Sequence, residues 1–213
     1  MFDYIFVDLD GPILDGKLRH YNCYVDIIKK YGGAPLDIET YWRDKRNKVK
    51  RDILLQESKF AGSYDDFLDE WIHNIESPDY LRYDVLKPQV SETLQLWAEQ
   101  STKKLVLATM RQNRANLIMQ LTQLNVLHLF DEVIDCPPFS ANPKYSKLKD
   151  FRFTQALFIG DTEEDVDTAH KLGIPIVGVL NGLRSREHLH ADFFVNEIAE
   201  LNFVALNLTK WYQ

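Results

Sequence analysis

Six short apolar runs recur along the chain, and helical spacing fills most of what separates the later ones. Tyr4-Ile5-Phe6-Val7, Leu105-Val106-Leu107-Ala108, Glu132-Val133-Ile134, Ala156-Leu157-Phe158-Ile159, Pro175-Ile176-Val177-Gly178-Val179 and Phe193-Phe194-Val195 read as strands. Between them, Val90–Trp97, Leu117–Val126 and Val166–Leu172 have helical periodicity, with Gly173 as a C-terminal cap. A further helix is expected after Val195. Strands that alternate with helices imply a parallel sheet with right-handed crossovers, an α/β core. All strand carboxyl ends then share one edge, which is where open α/β sheets bind ligands.

The residues that leave those strands are polar. Asp8 and Asp10 follow the first run, with Gly11 next; Thr109 follows the second; Gly160 and Asp161 follow the fourth. Two aspartates one residue apart repel, and one is driven neutral unless something positive lies between them. The topology gathers three carboxylates and a hydroxyl at one rim from distant parts of the sequence.

The stretch from Lys17 to Leu81 is different. Tyr24, Ile27, Ile28 and Tyr31 share a helical face, and Gly32-Gly33 is a stop. Asp37 reads as the N-cap of one helix carrying Ile38, Tyr41, Trp42, Val49, Ile53 and Leu54. A third helix holds Tyr64, Phe67, Leu68, Trp71, Ile72 and Ile75 and ends before Pro78. No strand is evident there. The expected division is an α/β core of residues 1–15 and 82–213 around an all-helical insert of residues 16–81, within the size of one core plus a subdomain.

A net charge of −7 over 213 residues gives no broad basic surface and argues against nucleic acid as a partner. No apolar run reaches membrane-spanning length, and the acidic N-terminus does not resemble a signal peptide. Cys23 and Cys136 lack metal-ligand spacing, which fits a reducing, cytoplasmic setting without disulfides.

Asp161 opens the run Gly160-Asp161-Thr162-Glu163-Glu164-Asp165, and Asp165 lies one helical turn further on. Asp165 fits both an N-terminal cap and a ligand. An oxygen-rich site with no nearby cysteine or histidine suits Mg²⁺ rather than zinc. A hard cation beside a nucleophilic carboxylate points to phosphoryl transfer, which also needs a hydroxyl and a cation on the phosphate. Thr109 is placed for the first. Lys144, at a helix start after Asn142-Pro143, is placed for the second, with Lys147 as its competitor.

The ordered set Asp8-Leu9-Asp10-Gly11, Thr109, Lys144 and Gly160-Asp161-Thr162 with Asp165 resembles the haloacid dehalogenase superfamily of phosphohydrolases over the whole chain. Ala169–Val179 resembles its phosphoglycolate phosphatase-like branch, and the helical insert resembles its cap. The resemblance implies a Rossmann-like core with an inserted helical cap that closes over the site. It implies a Mg²⁺-dependent phosphomonoester hydrolase acting on a small phosphorylated metabolite through an aspartyl-phosphate. Asp8 would be the nucleophile, and Asp10 the proton carrier. Thr109 and the lysine would hold the phosphate. Asp8, the backbone carbonyl of Asp10, Asp161 and Asp165 (directly or through water) would bind Mg²⁺.

Two departures from the family pattern stand out. Pro12 replaces the usual Thr, and Met110-Arg111 follows Thr109, so Arg111 either adds charge near the phosphate or sits on a helix surface. Of the basic residues Arg43, Lys45, Arg46, Lys48, Lys50 and Arg51, Arg43 and Arg46 are the preferred substrate contacts. The alternatives are a sugar phosphomutase of the same superfamily and a non-catalytic, phosphate-binding regulatory protein. The sequence specifies neither the metabolite nor the oligomeric state.

Overall fold

The computed structural model describes residues 2–99 and 104–201. The chain separates into two compact units, one of Met1–Leu14 with Leu86–Gln213 and the other of Asp15–Val85. In chain order the elements are strand β1 (Tyr4–Val7), strand β2 (Leu14–Asp15), helices α1 (Lys17–Lys30), α2 (Ile38–Arg46), α3 (Arg51–Glu57), α4 (Tyr64–Asn74) and α5 (Pro78–Leu81), then β3 (Val85–Leu86), α6 (Val90–Glu99), β4 (Lys104–Thr109), α7 (Arg114–Gln123), β5 (Glu132–Asp135), α8 (Pro143–Leu148), β6 (Ala156–Gly160), α9 (Glu163–Leu172), β7 (Ile176–Val179) and β8 (Phe193–Val195). After Val195 the described residues hold a 3-10 turn at Ile198–Glu200, and the rest of the segment expected to form the C-terminal helix lies outside the described residues. No helix among the described residues is long and apolar enough to cross a membrane.

The first unit is a six-stranded, all-parallel sheet in the order β5-β4-β1-β6-β7-β8. The interiors of its central strands are apolar because both faces are covered. On one face Ile5, Val7, Leu105, Leu107, Leu157 and Ile159 pack with Leu94 and Trp97 of α6 and Leu117 and Leu121 of α7. On the other, Phe6, Val106, Ala108 and Phe158 pack with Leu148 of α8 and Val166 and Ala169 of α9. Alternation along each strand assigns successive side chains to opposite layers. This is the Rossmann-like α/β architecture that the strand–helix alternation predicts.

Register then places the site. Val7 stands opposite Leu107 of β4 and Ile159 of β6, so β1, β4 and β6 run out together at one edge. Asp8, Thr109 and Asp161 are the residues at that edge.

The second unit has its own core of Tyr24, Ile27, Ile28, Tyr41, Leu55, Phe67 and Trp71. Asp37 caps α2 by accepting from the backbone N–H groups of Glu39 and Thr40, and Ser63 with Asp66 forms a reciprocal capping box on α4. The single helix expected from Asp37 through Leu54 is two helices. Lys48 takes a left-handed φ of 58° between α2 and α3, and the helical ladder cannot continue through it. Two further local differences are the two-residue strands β2 and β3, which pair with each other, and α5, which Pro78 begins rather than prevents.

Candidate active site

Asp8, Asp161 and Asp165 are buried, and one carboxylate oxygen from each lies within 4.8 Å of the others. Each arrives by a different local route. Asp8 is the residue after β1, tied to the sheet by its N–H donating to the Ile159 carbonyl (2.9 Å). Asp161 follows β6 on the neighbouring strand. Asp165 lies in the first turn of α9, where Thr162 and Asp165 form a capping box. Its Oδ2 accepts from the N–H of Asp161 (3.1 Å) and from both the N–H and hydroxyl of Thr162 (2.9 and 2.7 Å). Asp165 therefore caps the helix and also belongs to the acidic cluster.

Lys144, at the start of α8, is completely buried and donates to Asp8 Oδ1 (2.9 Å) and Asp165 Oδ1 (2.5 Å). Lys147 lies in the same helix with its side chain exposed. Burial alone works against the Lys144 charge, but Asp165 and Asp8 outweigh it and hold the ammonium in its charged form. The Asp8 Oδ1 atom also accepts from the Leu9 N–H (2.8 Å), so both of these contacts fall on one oxygen.

One ammonium does not balance three carboxylates. Burial pushes the Asp8 carboxyl up to about 7; Lys144 pulls it back, while Asp165 and Asp10 add to the rise. Asp161 is pushed well above the ordinary carboxylate range, by burial first and then by Asp8 and Asp165. Its Oδ2 accepts from the backbone N–H of Leu183, and its Oδ1 is buried without a hydrogen-bond partner. The backbone also crowds Asp161. A Cβ on Gly11, whose φ is +108°, would fall 2.0 Å from Asp161 Oδ2, and one on Gly182 would fall 2.1 Å from it. A buried, orphaned carboxylate oxygen among like charges fits a hard divalent cation, which removes both the repulsion and the missing contact.

Thr109, the last residue of β4, is 1% exposed, and its hydroxyl is buried without a partner. The same edge thus contains a second orphaned oxygen, one that can donate to an anion.

Asp10 stands apart from the acidic cluster in its pairing. Arg111 donates from Nε and Nη2 to its two carboxylate oxygens, each at 2.8 Å. Arg111 is 2% exposed, so it does not sit on a helix surface; it lies in the loop between β4 and α7, on Asp10. The sequence offers no local signal for this contact, because the partners are 101 positions apart. The Gly182-Leu183 turn on Asp161 is likewise invisible in sequence.

In the helical unit, Arg43 is exposed and pairs with its neighbour Asp44, while Arg46 is half-buried. Lys45 and Arg51 instead line a cavity of about 30 Å³ with Tyr41, Phe67 and Trp71. The Lys45 ammonium is 5.0 Å from the Trp71 ring centre and the Arg51 guanidinium 5.6 Å from it, both within cation–π range.

A comparison with curated proteins gives no match. Among solved structures, a predicted phosphatase from Clostridium acetobutylicum is 18% identical with a TM-score of 0.71, covering 94% of this chain and 96% of its own. A predicted phosphoglycolate phosphatase from Haemophilus somnus is 21% identical with a TM-score of 0.63, over 93% and 95%. A candidate β-phosphoglucomutase from Thermotoga maritima is 20% identical with a TM-score of 0.64, over 99% and 100%. At these identities the likeness is one of fold. The family model for haloacid dehalogenase-like hydrolases matches residues 4–179, from β1 to the end of β7, and the chain belongs to that family.

Proposed function

We propose that the chain is a Mg²⁺-dependent phosphomonoester hydrolase that works through a phosphoryl group carried on Asp8, with a small phosphorylated metabolite as substrate. The observation that supports this best is the imbalance at the sheet edge. Three buried carboxylates share one ammonium, and two oxygens, Asp161 Oδ1 and Thr109 Oγ1, are buried without partners. A cation accounts for the first and a phosphate oxygen for the second.

Asp8, Asp161 and the Asp10 carbonyl would hold the cation, and Asp165, which also pairs with Lys144, would join them directly or through water. Bound there, Mg²⁺ supplies positive charge against the oxygens of the transferring phosphoryl group. Asp8 attacks phosphorus, the bond to the ester oxygen breaks, and Asp10 delivers a proton to that oxygen. Water then attacks the phosphorus of the aspartyl-phosphate and gives a proton to Asp10. The bond to Asp8 breaks, and inorganic phosphate and the Asp8 carboxylate are restored. Thr109 and Lys144 hold the phosphoryl oxygens through both displacements. Two free, buried cysteines fit a reducing, cytoplasmic setting.

The test is hydrolysis of p-nitrophenyl phosphate with Mg²⁺. Turnover lost by at least about 10³-fold in Asp8→Asn is expected, because the nucleophile is gone. Phosphate binding without turnover of any phosphate ester would instead make the chain a binding protein. Isomerisation of a sugar phosphate with no phosphate released would make it a mutase.

A further inference from the structure

We propose that Arg111 is the positioning residue for Asp10, its guanidinium fork fixing the carboxylate that transfers the proton. The inference rests on the phosphohydrolase reading, in which Asp10 is the proton carrier. Two parallel contacts of 2.8 Å, one to each oxygen, set the plane of the carboxylate as well as its place. The Arg111 side chain is 2% exposed while that of Asp10 is 28% exposed. Burying a guanidinium costs free energy unless its geometry is well met, so a buried fork on a half-open carboxylate is an expensive arrangement for charge balance alone.

The two residues that follow Asp10 bring it no side-chain donor. Gly11 has a φ of +108° and no side chain, and Pro12 has neither an N–H nor a hydroxyl to donate. Arg111 reaches Asp10 from the loop after β4; β1 and β4 pair in parallel, with Val7 opposite Leu107, so the segments that follow both strands leave the sheet at the same edge. Each Asp10 oxygen takes one bond from Arg111.

The test uses the full chain with Mg²⁺ and compares kcat/KM on two substrates. p-Nitrophenolate departs without needing a proton, whereas the phenolate of phenyl phosphate gains much more from one. Arg111→Lys keeps the charge without the fork, and Arg111→Gln keeps a donor without the charge. Both are expected to lose about 10- to 100-fold more on phenyl phosphate than on p-nitrophenyl phosphate. Inhibition by inorganic phosphate should be unchanged, and in an Asp10→Asn background Arg111→Lys should add no further loss. Equal losses on both substrates, no loss at all, or weakened phosphate inhibition without altered leaving-group sensitivity would each overturn the proposal. Thermal melting accompanies each variant. If Arg111→Gln does not fold, Arg111→Lys decides, and if that also fails to fold, Arg111 belongs to the fold and the proposal is wrong. A wild-type chain inactive on both esters would overturn the phosphohydrolase reading, a result distinct from all of these.

Discussion

Lys144 is a buried cation with two anionic partners, and removing it leaves those carboxylates facing each other in a site with little solvent. Taking one partner from a buried ion pair costs about 3–5 kcal/mol, because the remaining charge is stranded. For a chain of this size each kcal/mol moves the melting temperature by about 2–4 °C. Lys144→Met is therefore expected to lower the melting temperature by roughly 6–20 °C in the absence of metal. Lys147→Met, an exposed substitution, should change stability by no more than about 0.5 kcal/mol. Scanning calorimetry of the two variants checks both, and equal effects would contradict the burial difference. The two lysines are three positions apart on one helix, and i, i+3 residues share a face. Sequence cannot rank them, because what separates them is the depth at which α8 meets α9. The bond of Arg111 to Asp10 is hidden for the same reason: an arginine two residues past a strand has many possible destinations, and the sheet register selects one.

At the scale of elements, the turn after β7 has the most exposed consequence. Gly182 and Leu183 hold Asp161 from outside β6, and a Cβ on Gly182 would meet Asp161 Oδ2 at 2.1 Å, a separation that one of the two must yield. Gly182→Ala should shift Asp161 and weaken Mg²⁺ binding by about 10- to 100-fold, the usual cost of disturbing a ligand's support. Isothermal titration with Mg²⁺ measures it; an unchanged affinity would remove Asp161 from the site. Other element-scale features are legible without the structure. Asp37 before Ile38, and Gly173 after Leu172, mark helix ends by residue chemistry that acts within one turn. The break between α2 and α3 is not legible. Asn47 and Val49 are only moderately weak helix formers and Lys48 and Lys50 are good ones, and the left-handed Lys48 falls between the buried Tyr41 of α2 and the buried Leu54 and Leu55 of α3.

For the molecule as a whole, the acidic cluster couples stability to both pH and metal. The folded-state pKa of Asp8, about 7, lies above its ordinary value, and that of Asp161 is also raised. The folded chain therefore binds more protons than the unfolded one above the ordinary carboxylate range. The stability this contributes is present at low pH and is lost as pH rises through about 7. The metal-free chain should thus melt at a lower temperature at pH 8 than at pH 6, the reverse of a protein whose carboxylates are ion-paired. Saturating Mg²⁺, at about 100 times its Kd, should add about 2.7 kcal/mol and flatten that slope. Asp161→Asn should raise the metal-free melting temperature at pH 8 and abolish the Mg²⁺-induced shift. Differential scanning fluorimetry across pH, with and without Mg²⁺, reads all of these, and a melting temperature that climbs from pH 6 to 8 without metal would contradict the charge imbalance.

The chain's own sequence determined the strand–helix alternation, the parallel sheet it implies, and the acidic and hydroxyl residues at the strand ends. Those features depend on periodicity and on single-residue chemistry, both of which act over a few neighbours. The tertiary structure decided the pairings: Lys144 rather than Lys147 between Asp8 and Asp165, Arg111 on Asp10, and the Leu183 N–H on Asp161. It also left Asp161 Oδ1 and Thr109 Oγ1 without partners. Each of these depends on how far side chains from separate elements reach once the sheet register is set and water is excluded, and neither reach nor exclusion exists until the strands have paired.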